Sequence, residues 1–321
     1  MKTRFVISTA LLATFAFTLS ASAEEKSIKL KQGFPVDKKI HQSIVMNQKM
    51  KMGGVPGAPD GGGMNMTNKI TMDMSMDVKK HGEDQKKAVM KYEKMAMLMD
   101  AGIFKQEFSS DDDQPGNPFS QIVGKAITLI YDKDDQVQSV EGMDDLVGGA
   151  AAQPGVGEML KQIFSEEQMK QTMNQGLLQM IPDRPLKVGD HWDYTMETPM
   201  PQGMGKMTVA GKYTLKRFDE YEGNQCAVIG MEGRLESEGK NVMEVQGQQI
   251  EMEFGDSKFE GDIYFDNELG LPRKSDMLTK IKMTMGVAGQ NMTMDMNMTM
   301  INKITKRVAK RIVKEAHFNQ I

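Results

Sequence analysis

The sequence predicts a mainly β protein: a curved antiparallel sheet, or half-barrel, of long hairpins with a central helical segment. Three observations predict it. Apolar and polar residues alternate over unusually long stretches, turn signals join those stretches in pairs, and one internal segment changes to helical spacing.

The alternation is clearest in "MNMTNKITMDMSMDV". Its even positions are Met64, Met66, Asn68, Ile70, Met72, Met74, Met76 and Val78, and every residue between them is polar. Strand side chains point alternately to opposite faces, so this reads as one strand with an apolar face and a wet face. At about 3.3 Å per residue it is about 50 Å long. The stretch "QNMTMDMNMTM" repeats the pattern with Met292, Met294, Met296, Met298 and Met300. Ile281, Met283, Met285 and Val287 lead into it through "AGQ", which predicts a hairpin of two Met-faced strands. Shorter alternations carry Ile44, Met46, Met50 and Met52; Met95, Met97 and Met99; Ile250, Met252 and Phe254; and Phe259, Gly261, Ile263 and Phe265. "KHGED", "DKDDQ", "YEGNQ" and "NELGLP" supply turns.

Two segments break the β pattern. "GGVPGAPDGGG" at Gly53–Gly63 is a flexible loop between strands. From Gly142 to Ile181 the period becomes helical. "MDDLVGG" and "VGEMLKQIF" read as short helices, and Ser165 with Gln168 forms a capping box for a third. On that third helix Met169, Met173 and Leu177 share a face, and Pro182 and Pro185 end it.

The organisation expected is therefore a signal peptide over 1–23, an N-terminal β half over 24–141, a helical connector over 142–181, a C-terminal β half over 182–307 and a basic tail over 308–321. Lys2 and Arg4 precede a short apolar run, and Ala21–Ala23 matches an A-x-A cleavage signature. No cysteine follows to take a lipid, so the expectation is a periplasmic or secreted protein. In the tail, Ile304, Val308 and Ile312 are spaced by four among Lys and Arg. Such a helix either docks on the sheet or makes a peripheral contact with an anionic membrane.

Composition narrows the chemistry. A formal charge of −4 offers no field for nucleic acid. Cys226 is the only cysteine, which excludes an internal disulfide, and "NQCAVIG" places it as a small buried hydrophobe. His41, His81, His191 and His317 have no metal-ligand spacing, and the common nucleophile and phosphate-loop motifs are absent, so no catalytic residues and no cofactor are expected. "DKDD" at Asp132 has Val137 where a calcium loop needs glycine and Met143 where it needs a bidentate Glu, so a hairpin turn accounts for it better. In "KVGDHWDY", Trp192 reads as an anchor of the second half's core.

The chain also resembles an uncharacterised family of secreted bacterial proteins, domain of unknown function 6263, from Glu24 to about Arg307. The residues that carry the resemblance are "SIKLKQGFPVDKKIHQSIVMNQKM", "GKAITLIYDKDDQVQSVEGMDDL" and "FSEEQMKQ…IPDRPLKVGDHWDY". That family implies no activity. The architecture looks like the periplasmic lipoprotein-carrier half-barrels, which is an analogy of fold alone.

Thirty-three methionines with 6% aromatics mean that thioether chains fill volume usually given to Leu, Ile or Phe. Three uses are open: plain core, a face that moulds to a lipid-like or other apolar ligand, and Cu(I) ligation. The expected function is that of an exported, non-enzymatic binding or carrier protein. Met64, Met66, Met72, Met74, Met76 and Met292, Met294, Met296, Met298, Met300 would line its apolar face, and Met169 and Met173 would close it. The alternatives are Cu(I) binding through Met72, Met74, Met76, Met294, Met296 and Met298, or a structural envelope protein. Met74→Asp and Met296→Asp are both expected to abolish folding or ligand retention.

Overall fold

The computed structural model describes residues 27–54, 63–102, 104–112, 117–148, 166–175, 181–199, 206–237, 241–245, 248–287 and 290–305. The first half comprises β1 (Ser27–Ile28), β2 (Lys38–Gly53), β3 (Met64–His81), β4 (Gln85–Asp100), β5 (Lys105–Ser109), β6 (Ala126–Tyr131) and β7 (Val137–Glu141). Helices α1 (Met143–Gly148) and α2 (Glu166–Gln175) follow. The second half comprises β8 (Leu186–Lys187), β9 (His191–Pro199), β10 (Lys206–Tyr221), β11 (Asn224–Ser237), β12 (Asn241–Val245), β13 (Gln248–Phe254), β14 (Ser257–Asp266), β15 (Leu271–Val287) and β16 (Gln290–Thr305).

Fourteen of these strands form one antiparallel sheet that does not close into a barrel. Its order is β7-β6-β4-β3-β2-β16-β15-β14-β11-β10-β9, with β5 beside β4 and the β12–β13 hairpin beside β15. The chain works outward from β2 to the β7 edge, crosses through the helical segment to the β9 edge, and returns to the middle. There β16 pairs with β2 from Thr293↔Gly53 to Thr305↔His41, so the two halves share one sheet. Sequence neighbours pair almost throughout, as the hairpin signals require.

Four ladders contain an extra residue without a direct partner: Glu93 in β4, Gln138 in β7, Lys216 in β10 and Arg273 in β15. All four are polar. A bulge bends its strand and increases the local twist, and it also reverses which face the following side chains take. In β4 the reversal puts Ala88, Met90 and Tyr92 on the same face as Met95, Met97 and Met99. Strict parity would have sent the two sets to opposite faces.

Both cores lie on the Met-bearing face. One collects Ile40, Met74, Val78, Ala88, Met90, Tyr92, Ile127, Leu129, Tyr131 and Ile304, with Phe34, Met169 and Met173 packed on it. Val78, Ala88, Ile127 and Leu129 are fully shielded from solvent. Each of the larger three contributes about 1.5–3 kcal/mol by burial. The other core collects Leu30, Leu186, Tyr213, Leu215, Ile229, Ile263 and Phe265. Trp192 packs against it as expected, its ring stacked 5.6 Å from that of Tyr213. The tip of the Phe259 ring reaches over Gly211 and Gly233, where an added Cβ would come within 3.0 and 2.4 Å of its Cζ.

Cys226 is buried as expected, at 1% exposure. Burial, then the nearby Asp266 charge, pushes its thiol up to about 11. The native chain should therefore alkylate with iodoacetamide at pH 8 at least ~10-fold more slowly than the urea-unfolded chain. A native rate equal to the unfolded rate would place Cys226 outside the core.

Helices α1 and α2 occur where the helical period predicts them. The "VGEMLKQIF" helix, the Ser165–Gln168 capping box, Leu177, the interior of the Gly53–Gly63 loop, residues 1–26 and the basic tail lie outside the described residues.

Candidate functional site

Cross-strand register turns the separate methionine alternations into a two-dimensional pattern. Residues directly opposite on antiparallel strands share a face, with Cα atoms about 4.5–5.5 Å apart. Met283, Met294, Met52 and Met64 form one row across β15, β16, β2 and β3. The adjacent row is Ile281, Met296, Met50 and Met66, and on the other side lie Met252, Met285 and Met292. Further down, Met298 stands beside Gln48 and Asn68, and Met300 beside Met46 and Met277. Met294 is buried at 8% exposure and the other methionines of β16 are half-buried. Among the described residues neither core reaches these rows.

The opposite end of the same face is covered. The turn after β14 clamps the segment preceding β2: Lys31 N–H donates to Asn267 Oδ1 at 2.6 Å, and Asn267 Nδ2 donates to the Lys29 carbonyl at 3.2 Å. Gly33 N–H donates to the Gly270 carbonyl at 3.1 Å. Gly270 has φ 75°, and a Cβ there would lie 2.7 Å from Gly33 O, so only glycine permits the approach. Phe34 is thereby held over the sheet, its ring 4.6 Å from that of Tyr131. From α2, Met173 accepts a hydrogen bond from the Tyr131 hydroxyl at 3.9 Å. Asn174 fastens α2 to β7, accepting from Val137 N–H at 2.7 Å and donating to its carbonyl at 3.1 Å.

Between this cover and the sheet is a cavity of 280 Å³. Its lining is mostly apolar, with Phe34, Ile40, Met74, Met76, Met90, Tyr131, Met173, Leu271 and Ile304. Gln32, Gln42 and Asn302 add amides, and Gln42 Nε2 donates to Asn302 Oδ1 at 3.0 Å. Burial pushes the Tyr131 hydroxyl well above its ordinary value, and the Asp135 charge adds to the effect, so it stays a neutral donor. An apolar enclosure with a few convergent amides orients a ligand that is apolar over most of its length and polar at one point.

The predicted ligand-facing methionines of β3 and β16 share one face of the sheet, but the predicted set does not form one site. Met74, Met76 and Met173 line the cavity, and Met72 and Met169 pack around the same core. Met64, Met66, Met292, Met294, Met296, Met298 and Met300 occupy the rows beyond it. Met169 and Met173 therefore cover the packed end and not the Met292–Met300 stretch. The copper set is likewise divided. Met72 is eight residues along β3 from Met64, the β3 member of the Met294 row, which is about 27 Å at about 3.4 Å per residue. Parity assigns a face to each residue, and only register assigns its neighbours.

Phe34, Ile40, Gln42, Tyr131 and Asn302 were not legible as site residues. A signal for two of them existed: Gln42 and Asn302 are polar residues in apolar phase, between Ile40 and Ile44 and between Met300 and Ile304. Gln48 and Asn68 break the phase in the same way and pair with each other. Asn68 Nδ2 donates to Gln48 Oε1 at 3.3 Å, while Asn68 Oδ1 is buried with no hydrogen-bond partner.

Other candidates resolve as structure. Asp132 spends its Oδ1 on the N–H groups of Asp134 and Gln136, both at 2.9 Å, and the turn is completed by Asp135 at φ 60°. Among the described residues no group of three His, Cys, Asp or Glu is placed to hold a metal.

Several solved structures are similar in outline. A lipovitellin structure concerned with lipid–protein interactions matches at 9% identity and TM-score 0.42, over 86% of this chain and 26% of that one. This chain thus spans about a quarter of the lipovitellin chain. DynF of the dynemicin biosynthesis pathway of Micromonospora chersina matches at 9% identity and TM-score 0.21, over 86% and 85%. An outer membrane channel from Pseudomonas putida F1 matches at 6% identity and TM-score 0.22, over 86% and 98%. At such scores these likenesses carry no weight for fold or ligand. No curated protein matches the sequence. Residues 83–272 match the profile of a family of unknown function, a narrower span than Glu24 to Arg307, and β2, β3 and β16 lie outside it.

Proposed function

The chain belongs to the family of unknown function DUF6263, and from that premise, which brings no activity with it, we propose that it is a non-enzymatic binding or carrier protein for a lipid-like molecule. The observation that supports this most is the cavity beneath Phe34 and Met173, apolar on most sides and provided with amides at Gln42 and Asn302. From it the methionine rows continue along the sheet, so an alkyl chain too long for 280 Å³ has an apolar surface to follow. Thioether side chains repack at little cost and suit a chain of variable length. The signal peptide expected from the sequence supports a working place outside the cytoplasm for such a carrier.

The test is displacement of the apolar dye N-phenyl-1-naphthylamine by a fatty acid or a lysophospholipid. Wild-type protein should bind the dye and release it to the lipid. Met76→Trp fills the cavity from a half-buried position and should weaken dye binding at least ~10-fold with the fold retained by circular dichroism. Undiminished binding in that variant, or dye that no lipid displaces, would remove the cavity from the function.

A further inference from the structure

In β2 and β16 the chain changes its choice of apolar residue from one end to the other, isoleucine giving way to methionine, while β3 carries methionine at both ends. At the packed end the buried positions mix Ile40, Val78, Ala88, Ile127, Leu129 and Ile304 with Met74, Met90 and Met95. In two adjacent rows at the other end, seven of the eight positions across β15, β16, β2 and β3 are methionine, and only Ile281 interrupts them. Those rows are Met283, Met294, Met52 and Met64, then Ile281, Met296, Met50 and Met66. Filling volume does not require so unbroken a set, because the packed end mixes methionine with branched carbon chains. What the seven positions share is a thioether sulfur.

Their spacing suits a shared ion. Direct neighbours have Cα atoms about 5 Å apart, and the next row lies about 7 Å away. Flexible side chains on that lattice bring three or four sulfurs from different strands to one point. The sulfur lone pairs already serve as acceptors there: Gln48 Nε2 donates to Met296 Sδ, and Asn68 Nδ2 lies 3.8 Å from Met66 Sδ. The identity of the ion follows from the donors. Neutral thioethers select soft ions, and no trio of His, Cys, Asp or Glu among the described residues offers a competing harder site. A monovalent ion also brings only one charge onto a face whose side chains are uncharged, whereas a divalent ion would bring two.

We propose that this methionine lattice is a Cu(I) site, with Met294 at its centre and Met52, Met64, Met283, Met50 and Met296 around it. It shares a sheet face with the cavity but none of its lining residues, so it stands or falls separately from the lipid reading.

The test is anaerobic competition for Cu(I) held by bicinchoninate, followed by the chelator's absorbance, using mature protein in a Cys226→Ala background so that no thiol contributes. This protein should withdraw at least one Cu(I) per chain. Combining Met52→Leu, Met64→Leu and Met294→Leu, which nearly conserves volume, should weaken binding at least ~10-fold. Met74→Leu with Met76→Leu at the packed end should leave it unchanged. A chelator complex left intact by the unsubstituted lattice, or a triple variant that binds as well as its parent, would overturn the proposal. Should the triple variant not fold, Ag(I) titration of protein labelled at the methionine methyl carbons decides. Shifts confined to lattice methyls support the site, and shifts elsewhere or none overturn it.

Discussion

Arg273→Met should destabilise the protein by about 3–5 kcal/mol, read as a fall in the urea midpoint with an unchanged slope. Arg273 is the bulge residue of β15, and its side chain and that of Asp266 are each 3% exposed. Its Nε and Nη2 donate to Asp266 Oδ2 at 2.8 and 2.7 Å, and Nη2 also donates to Asn224 Oδ1 at 2.9 Å. Asp266 Oδ1 accepts from Glu268 and Leu269 N–H, both at 2.9 Å. Burial alone pushes the Asp266 carboxyl up, but the Leu269 N–H and the Arg273 hydrogen bonds and charge outweigh it and hold the group below the ordinary carboxylate value.

The sign of the pH effect follows from that direction. A carboxyl held low in the folded state adds stability that is complete above its unfolded value, near 4, and is lost as pH falls through the folded value. Removing the guanidinium leaves a buried carboxylate, so in Arg273→Met burial prevails and the group takes up a proton more readily. The penalty should then shrink on acidification, and Arg273→Met with Asp266→Asn should be more stable than Arg273→Met alone. A double variant no better than the single one would show that the pair is not coupled. Because Asp266 orders the turn that holds Phe34, dye binding should weaken along with stability.

Met74→Asp should cost at least ~4 kcal/mol, among the largest effects of a single substitution, because a carboxylate at a site 7% exposed has lost its water. Met74 sits between Gln42 and Tyr92 in the covered end of the sheet, within a core whose described members are apolar side chains. Met296→Asp is a different case. It shares the face and the alternation, but it is half-buried in the rows beyond both cores. Water reaches a carboxylate there, so its cost should be no more than about half as great. Thermal unfolding of the two variants side by side checks this. Equal losses would mean that the methionine rows are as closely packed as the core, against the ordering seen here.

How far this could be read in advance differs by level. Alternation over β3 and β16 identified long strands and their apolar faces, because strand side chains repeat every two residues whatever the partner. The change of period at Gly142 located α1 and α2, and "KVGDHW" identified a core anchor in Trp192. The bulges were not legible. Glu93, Gln138, Lys216 and Arg273 look like ordinary polar residues in phase, and only pairing with a neighbouring strand shows one of them to be supernumerary.

The site divides along the same line. Local sequence was sufficient to place the methionines of β3 and β16 on one face each, but not to align those on either side of the Glu93 bulge in β4. It could not set Met294 between Met283 and Met52, since those three belong to different strands and register is a relation between strands. Nor could it show that Phe34 and Met173 cover only one end of the face, because that cover is positioned by the turn at Gly270 and by the pairing of α2 with β7. Periodicity is carried by neighbours in the chain and survives in the sequence; register, bulge and cover arise from contacts between residues far apart in it, and exist only once the sheet has formed.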